Sequence, residues 1–192
     1  RLSASQARER RIAAASARAG REASEIELLP VSKTVPQERL RAAIAAGCTT
    51  LGENKVQEAV RKHGELADLP VRWSLIGHLQ RNKAKDVAAI ATEFHALDSL
   101  RVAEALDRRL EALGRPLDVY VQVNTSHEPQ KYGVAPDELP GFLASLTAYP
   151  TLRVKGLMTL AVFSSDADRV RACFALLRAL RDRARATDPD LI

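Results

Sequence analysis

Short apolar runs rich in β-branched and aromatic residues alternate along this chain with stretches whose apolar residues recur every three or four positions. The runs are Leu28-Leu29-Pro30-Val31, Thr49-Thr50-Leu51, Trp73-Ser74-Leu75-Ile76, Glu93–Leu97, Val119–Val123 and Leu152–Leu157. Runs of this length suit strands buried on both faces. Between them, Leu40 and Ile44 follow Pro36 and stop at Gly47, as a helix would. Val102, Leu106, Leu110 and Leu113 form a second helical stripe, closed by Gly114. Leu139, Phe142, Leu143 and Leu146 form a third, and Val170, Phe174, Leu177 and Leu180 a fourth. The pattern reads as about six β-α units behind a leading helix, which predicts a parallel sheet.

Two architectures share that pattern. A doubly wound sheet usually carries a glycine-rich phosphate loop after its first strand. Neither G-x-G-x-x-G nor G-x-x-x-x-G-K-[ST] occurs here. A (β/α)8 barrel usually needs more than about 200 residues, so six units in 192 residues predict a barrel whose last one or two strands are missing from this chain. No low-complexity linker interrupts the sequence, so residues 1–192 read as one domain, apparently truncated at its C-terminus.

Composition narrows the function classes. Hydrophobic residues are 46% and charged residues 28%, as in an ordinary water-soluble domain. No apolar run approaches the roughly 20 residues that cross a bilayer, and no secretory signal is visible. Cys48 and Cys173 lie far apart, without metal-ligand spacing, and read as free thiols in a reducing cytoplasm. The net charge of +5 comes from arginines interleaved with Glu and Asp along several helices. That is the mark of solvated helix faces, and nucleic-acid binding is not expected.

The candidate chemistry collects at strand ends. In a barrel, functional groups cluster where strands finish. Lys33 closes the first run in Val31-Ser32-Lys33-Thr34, where partial desolvation would expose a nucleophilic amine suited to condensing with an aldehyde. Gly52-Glu53-Asn54, Gly77-His78-Leu79-Gln80, Asn124-Thr125-Ser126 and Met158-Thr159 end later runs. Each of these alone fits a helix cap or a structural hydrogen bond. Together they predict a polar pocket ringed by βα loops.

These residues resemble a known family. Val31-Ser32-Lys33-Thr34, Gly52-Glu53-Asn54-Lys55-Val56-Gln57-Glu58 and Trp73–Lys83 are similar, in order, to motifs of the pyridoxal phosphate homeostasis protein family. So are Val123-Asn124-Thr125-Ser126-x-Glu128-x-x-Lys131-x-Gly133 and Gly156-Leu157-Met158-Thr159. The resemblance implies the barrel fold of the alanine racemase N-terminal domain. It implies pyridoxal 5'-phosphate (PLP) as cofactor, carried as a Schiff base on Lys33, with Asn54 and Met158 beside it. Lys131 falls on a family lysine in a loop at the same mouth and is a candidate contact for a vitamer or a phosphate. The implied role is vitamin B6 homeostasis without catalytic turnover, with B6 vitamers as ligands and PLP-dependent apoenzymes as candidate recipients. A monomer is suggested, a dimer staying open. A small PLP enzyme such as a weak amino-acid racemase is the alternative, although the second domain that gives alanine racemase its tyrosine base is not found within residues 1–192.

Several positions depart from the family pattern. Val35 stands where a second lysine is often found, Lys55 where an aromatic is frequent, and His127 where glycine is common. The Ser-x-Gly-Met-Ser and Arg-x-Gly segments that supply the family's phosphate cradle do not occur before Ile192. A molecule ending there is expected to bind PLP more weakly than a completed chain, because a phosphate dianion needs oriented backbone N–H donors.

Overall fold

The computed structural model describes residues 4–190, so the expectation attached to Ile192 lies outside the described residues. The chain packs as two compact units, one running to Pro30 and the other starting at Val31. In the first, α1 (Ala4–Arg18) is followed by a 3-10 turn at Ala23–Glu25, spanned by an Arg21–Glu25 ion pair of 2.9 Å.

The second unit carries the sheet. In chain order it contains α2 (Gln37–Ala45), β1 (Thr50–Glu53), α3 (Val56–Glu65), β2 (Arg72–Leu75), α4 (Ala84–Ile90), β3 (Glu93–Leu97), α5 (Leu100–Leu113), β4 (Leu117–Gln122), α6 (Leu139–Leu146), β5 (Leu152–Met158) and α7 (Ala167–Thr187). All five strands are parallel, and their spatial order follows the sequence from β1 to β5. A doubly wound sheet reverses direction at a switch point; this one does not. It winds one way, as a partial (β/α)8 barrel does.

Residues paired across neighbouring strands share a face of the sheet. One row reads Leu75, Phe94, Val119 and Val154. With Leu51, Trp73, Leu97 and Val121 it makes the apolar, helix-covered face, and Phe94 and Val119 are fully buried. The opposite row reads Gly52, Ser74, Glu93, Asp118 and Arg153. Its polar groups satisfy one another. Ser74 Oγ donates to Glu93 at 2.8 Å, His95 Nε2 lies 3.0 Å from the same carboxylate oxygen, and Arg153 pairs with Asp118 at 2.7 Å. Burial pushes the Glu93 carboxyl up, but the hydrogen bonds from His95 and Ser74 outweigh it and hold it below its ordinary range.

The helices dock as their stripes predict, with two shifts. In α5, Val102, Leu106 and Leu110 are buried, while Leu113 is exposed in the last turn before Gly114. In α7 the packed face runs through Cys173 and Leu180, and Phe174 lies off it, exposed. The first expected strand is the larger correction. Of Leu28–Val31, only Val31 pairs, through an isolated parallel bridge to Gly52. Pro30 has no N–H to give a ladder, and the chain turns just beyond, at Lys33 and Thr34. Cys48 and Cys173 are both free thiols. No helix among the described residues is long and apolar enough to cross a membrane.

Candidate functional site at the strand ends

Parallel winding brings the segments that follow every strand to one end of the sheet. Lys33 reaches that mouth on a tight turn from Ser32 to Val35. The Val35 N–H donates to the Ser32 carbonyl at 3.0 Å, and Ser32 N–H donates to Gly52 O at 2.8 Å, which fastens the turn to β1. Thr34 occupies the third position with φ +62°. A β-branched residue in the left-handed region is strained, and such strain persists only where the surroundings impose it.

The surroundings here are charged and buried. Glu58 Oε1 accepts the Thr34 N–H at 2.9 Å. Lys62, also on α3 and 1% exposed, donates to the Ser32 carbonyl and pairs with Glu53 at 2.5 Å and Glu58 at 2.9 Å. Ser32 Oγ donates to Glu53 Oε1 at 2.5 Å. Glu53 is the one charged side chain that β1 turns toward the helices, paired in register with Leu75. Hydrogen bonds from Lys62 and from the Thr34 backbone hold the Glu58 carboxyl below its ordinary range. Sequence reading missed this cluster. The Glu58–Lys62 spacing of four on a helix was its visible sign.

Lys33 itself is exposed, so the desolvation expected at this position is not what the structure has. Its ammonium makes no hydrogen bond or ion pair among the described residues. Asn54, just past β1, is also exposed, and its backbone is packed against Gly77. Met158 is half-buried at the end of β5, in register with Gln122. Thr159 follows it, its hydroxyl donating to Val123 O at 2.7 Å and lying 2.7 Å from the Thr125 hydroxyl. Asn54 and Met158 thus follow or end strands of one sheet, and Lys33 lies on the turn just past the Val31 bridge to β1.

Lys131 is held differently. Its ammonium pairs with Glu128 at 2.7 Å and donates to the Ala161 carbonyl at 3.2 Å, bridging the segment after β4 to the one after β5. That pairing pulls the Glu128 carboxyl down. An anion at Lys131 has to compete with both partners. The same segment is fixed at two further points. The Tyr132 ring stacks on His78 with centroids 3.6 Å apart, and the Gly133 N–H donates to Asp98 at 2.9 Å. His127, where the family commonly has glycine, sits at φ +57°, which explains that preference.

Asp98 gives a pH prediction. Burial raises its pKa, with the Gly133 N–H and the nearby His78 only partly offsetting it. A carboxyl raised on folding favours the fold when protonated, and that contribution is lost as pH rises above roughly 3.9. Asp98→Asn keeps an acceptor for Gly133 and removes the titration. Its melting temperature should therefore gain on wild type as pH increases from 3 to 6. A constant difference across that range refutes the assignment.

Comparison with known proteins agrees with this fold. The alanine racemase N-terminal domain family profile matches residues 5–192. A pyridoxal phosphate homeostasis protein of Pseudomonas aeruginosa is 41% identical over 170 residues, covering 88% of this chain and 74% of that protein. This chain belongs to the pyridoxal phosphate homeostasis protein family. Among solved structures, PipY of Synechococcus elongatus with PLP bound superposes with a TM-score of 0.81 at 36% identity, covering 93% of this chain and 84% of that one. The alanine racemase of Streptomyces coelicolor shares the fold, with a TM-score of 0.71 at 18% identity over 94% of this chain and 48% of its own. Family membership and the singly wound sheet bear out the fold read from the sequence.

Proposed function

We propose that this protein binds PLP through the Lys33 amine and serves vitamin B6 homeostasis as a binding protein without turnover of its own. The carrying observation is the placement of Lys33 on a turn fastened to β1, within a motif of the family to which the chain belongs. The Lys62 and Lys131 ammonium groups are engaged by carboxylates and carbonyls, whereas Lys33 stands at the strand-end mouth with its amine uncommitted. Bound PLP supplies an aldehyde carbon with which a neutral lysine amine condenses, releasing water and leaving a Schiff base.

The residues present fit that group. Lys33 gives the amine on a turn fastened to β1, and Asn54 offers an amide at the end of that strand. Gly77 leaves backbone against backbone where any Cβ would intrude. Met158 contributes an apolar wall, and Lys131 a second cation at the mouth, available when Glu128 yields it. The names of the relatives point to homeostasis rather than to a reaction, and the PLP-bound PipY structure supports the choice of cofactor. A cytoplasmic setting accords with two free thiols. B6 vitamers and PLP-dependent apoenzymes are the partners in this reading, the protein acting as a monomer.

The test is direct. Purified protein with PLP should show a visible absorbance band, and borohydride reduction should fix the cofactor on the peptide containing Lys33. Lys33→Ala should lose both signals completely. Mapping of the adduct to another lysine overturns the site, and sustained amino-acid turnover that disappears in Lys33→Ala overturns the carrier role.

A further inference from the structure

We infer that Glu58 is a positioning residue for Lys33: its carboxylate, oriented by the buried Lys62, clamps the strained Thr34 backbone and so fixes where the Lys33 amine is presented. This rests on the reading of Lys33 as the cofactor lysine.

The two residues flanking Lys33 are both tied to the same cluster. On one side, the Ser32 carbonyl accepts from Lys62, and the Ser32 hydroxyl donates to Glu53. On the other, the Thr34 N–H donates to Glu58. Lys33 lies between these anchors with no tether of its own. A single free residue in a turn has two soft backbone torsions, and pinning the peptide groups on either side removes most of their freedom. Thr34 makes the clamp necessary. Its left-handed backbone is unfavourable for a β-branched residue, and without an acceptor for its N–H the turn is free to relax into a different shape. That relaxation would move the Lys33 Cα and change where its side chain is presented.

Lys62 explains what holds that acceptor oxygen in place. Its ammonium is 1% exposed and sits between Glu53 and Glu58. A buried ammonium must be paired, so it holds the Glu58 carboxylate in one orientation, with Oε1 serving Thr34. Glu58 keeps its side chain partly accessible at 22%, so changing it disturbs the fold less than changing Glu53 or Lys62. Glu58 acts on the peptide group that follows Lys33, the whole length of the lysine side chain away from the reacting Nζ, which separates it from groups that touch a ligand.

The experiment compares full-length wild type, Glu58→Ala and Glu58→Gln. Backbone amide exchange at Thr34, measured without cofactor, reads the clamp. Absorbance titration with PLP, followed by borohydride trapping, reads its effect on Lys33. A hydrogen bond to a charged group corresponds to about tenfold or more in an equilibrium. Glu58→Ala should therefore exchange Thr34 about tenfold faster and bind PLP about tenfold more weakly. Glu58→Gln, which keeps an acceptor oxygen, should recover most of both. Should Glu58→Ala not fold, Glu58→Asp retains the charge beside Lys62 but falls short of Thr34, and is expected to shift both readouts the same way. Unchanged Thr34 exchange in Glu58→Ala overturns the inference, as does unchanged PLP affinity or a Gln variant as impaired as the Ala variant. If wild type yields no adduct on Lys33, the cofactor-lysine reading falls, while the exchange measurement still decides whether Glu58 holds the turn.

Discussion

Gly77→Ala should destabilise the protein by about 3 kcal/mol or more and lower its melting temperature by roughly 6–12 °C. A Cβ built at position 77 lies 2.1 Å from Asn54 O, 2.8 Å from Asn54 C and 2.9 Å from Asn54 Cα. All three atoms belong to backbone, so no side chain can rotate to make room. The segments leaving β1 and β2 must separate instead, and Asn54 moves with them. The variant should therefore weaken PLP binding as well as folding. Gly141→Ala is the internal control. It lies in α6 with nothing within 4 Å of the added carbon, and alanine in a helix interior is favoured over glycine by about 1 kcal/mol. Thermal melts in which Gly77→Ala stays within roughly 2 °C of wild type, less than a single kcal/mol is worth at this size, would show that the two segments are not packed as described.

The second large effect belongs to Lys62→Ala. Removing one member of a buried ion pair strands the other, at a cost of about 3–5 kcal/mol, which is a large share of the 5–15 kcal/mol that holds a typical domain together. Glu53 is 0% exposed, and its Oε2 already has no hydrogen-bond partner among the described residues. Without Lys62, only Ser32 would remain to serve the carboxylate. The double variant Lys62→Met with Glu53→Gln should recover much of the loss, since glutamine still offers Ser32 Oγ an acceptor and no charge is left buried. The two changes are in contact, so they should be strongly non-additive in chemical denaturation. Simple additivity of the single-variant costs would contradict the pairing.

Much of the fold was written in apolar periodicity. Trp73–Ile76, Glu93–Leu97, Val119–Val123 and Leu152–Leu157 each contain or overlap a strand, because a parallel strand packed under helices must be apolar on its covered face. The pattern failed at Leu28–Val31, where composition suggested a strand but Pro30 and the following turn left one bridging residue. It also said little about α3 and α4. Their packed positions include Ala59, Ala84 and Ala88, residues too small to stand out as a stripe. Of the candidate residues, Asn54 and Met158 were legible as strand-end positions, Lys33 as the residue after the first apolar run and Lys131 as a loop residue beyond β4. What supports Lys33 was not, because Ser32, Glu53, Glu58 and Lys62 meet only once β1 and α3 are packed together. Desolvation of Lys33 was inferred from its apolar neighbours in sequence, yet the turn carries it outward. Asp98 and Tyr132 escaped notice for the same reason: their partners, Gly133 and His78, come from different βα loops.

The strand order also bears on how the molecule is made. Every strand from β2 onward hydrogen-bonds to the one synthesised immediately before it. A nascent polypeptide leaving the ribosome can thus add one βα step at a time, each closing a loop of a few tens of residues. None of the described strands has to wait for a distant segment, so each edge that β1 to β4 offers to the next strand is paired within about the translation time of a single step.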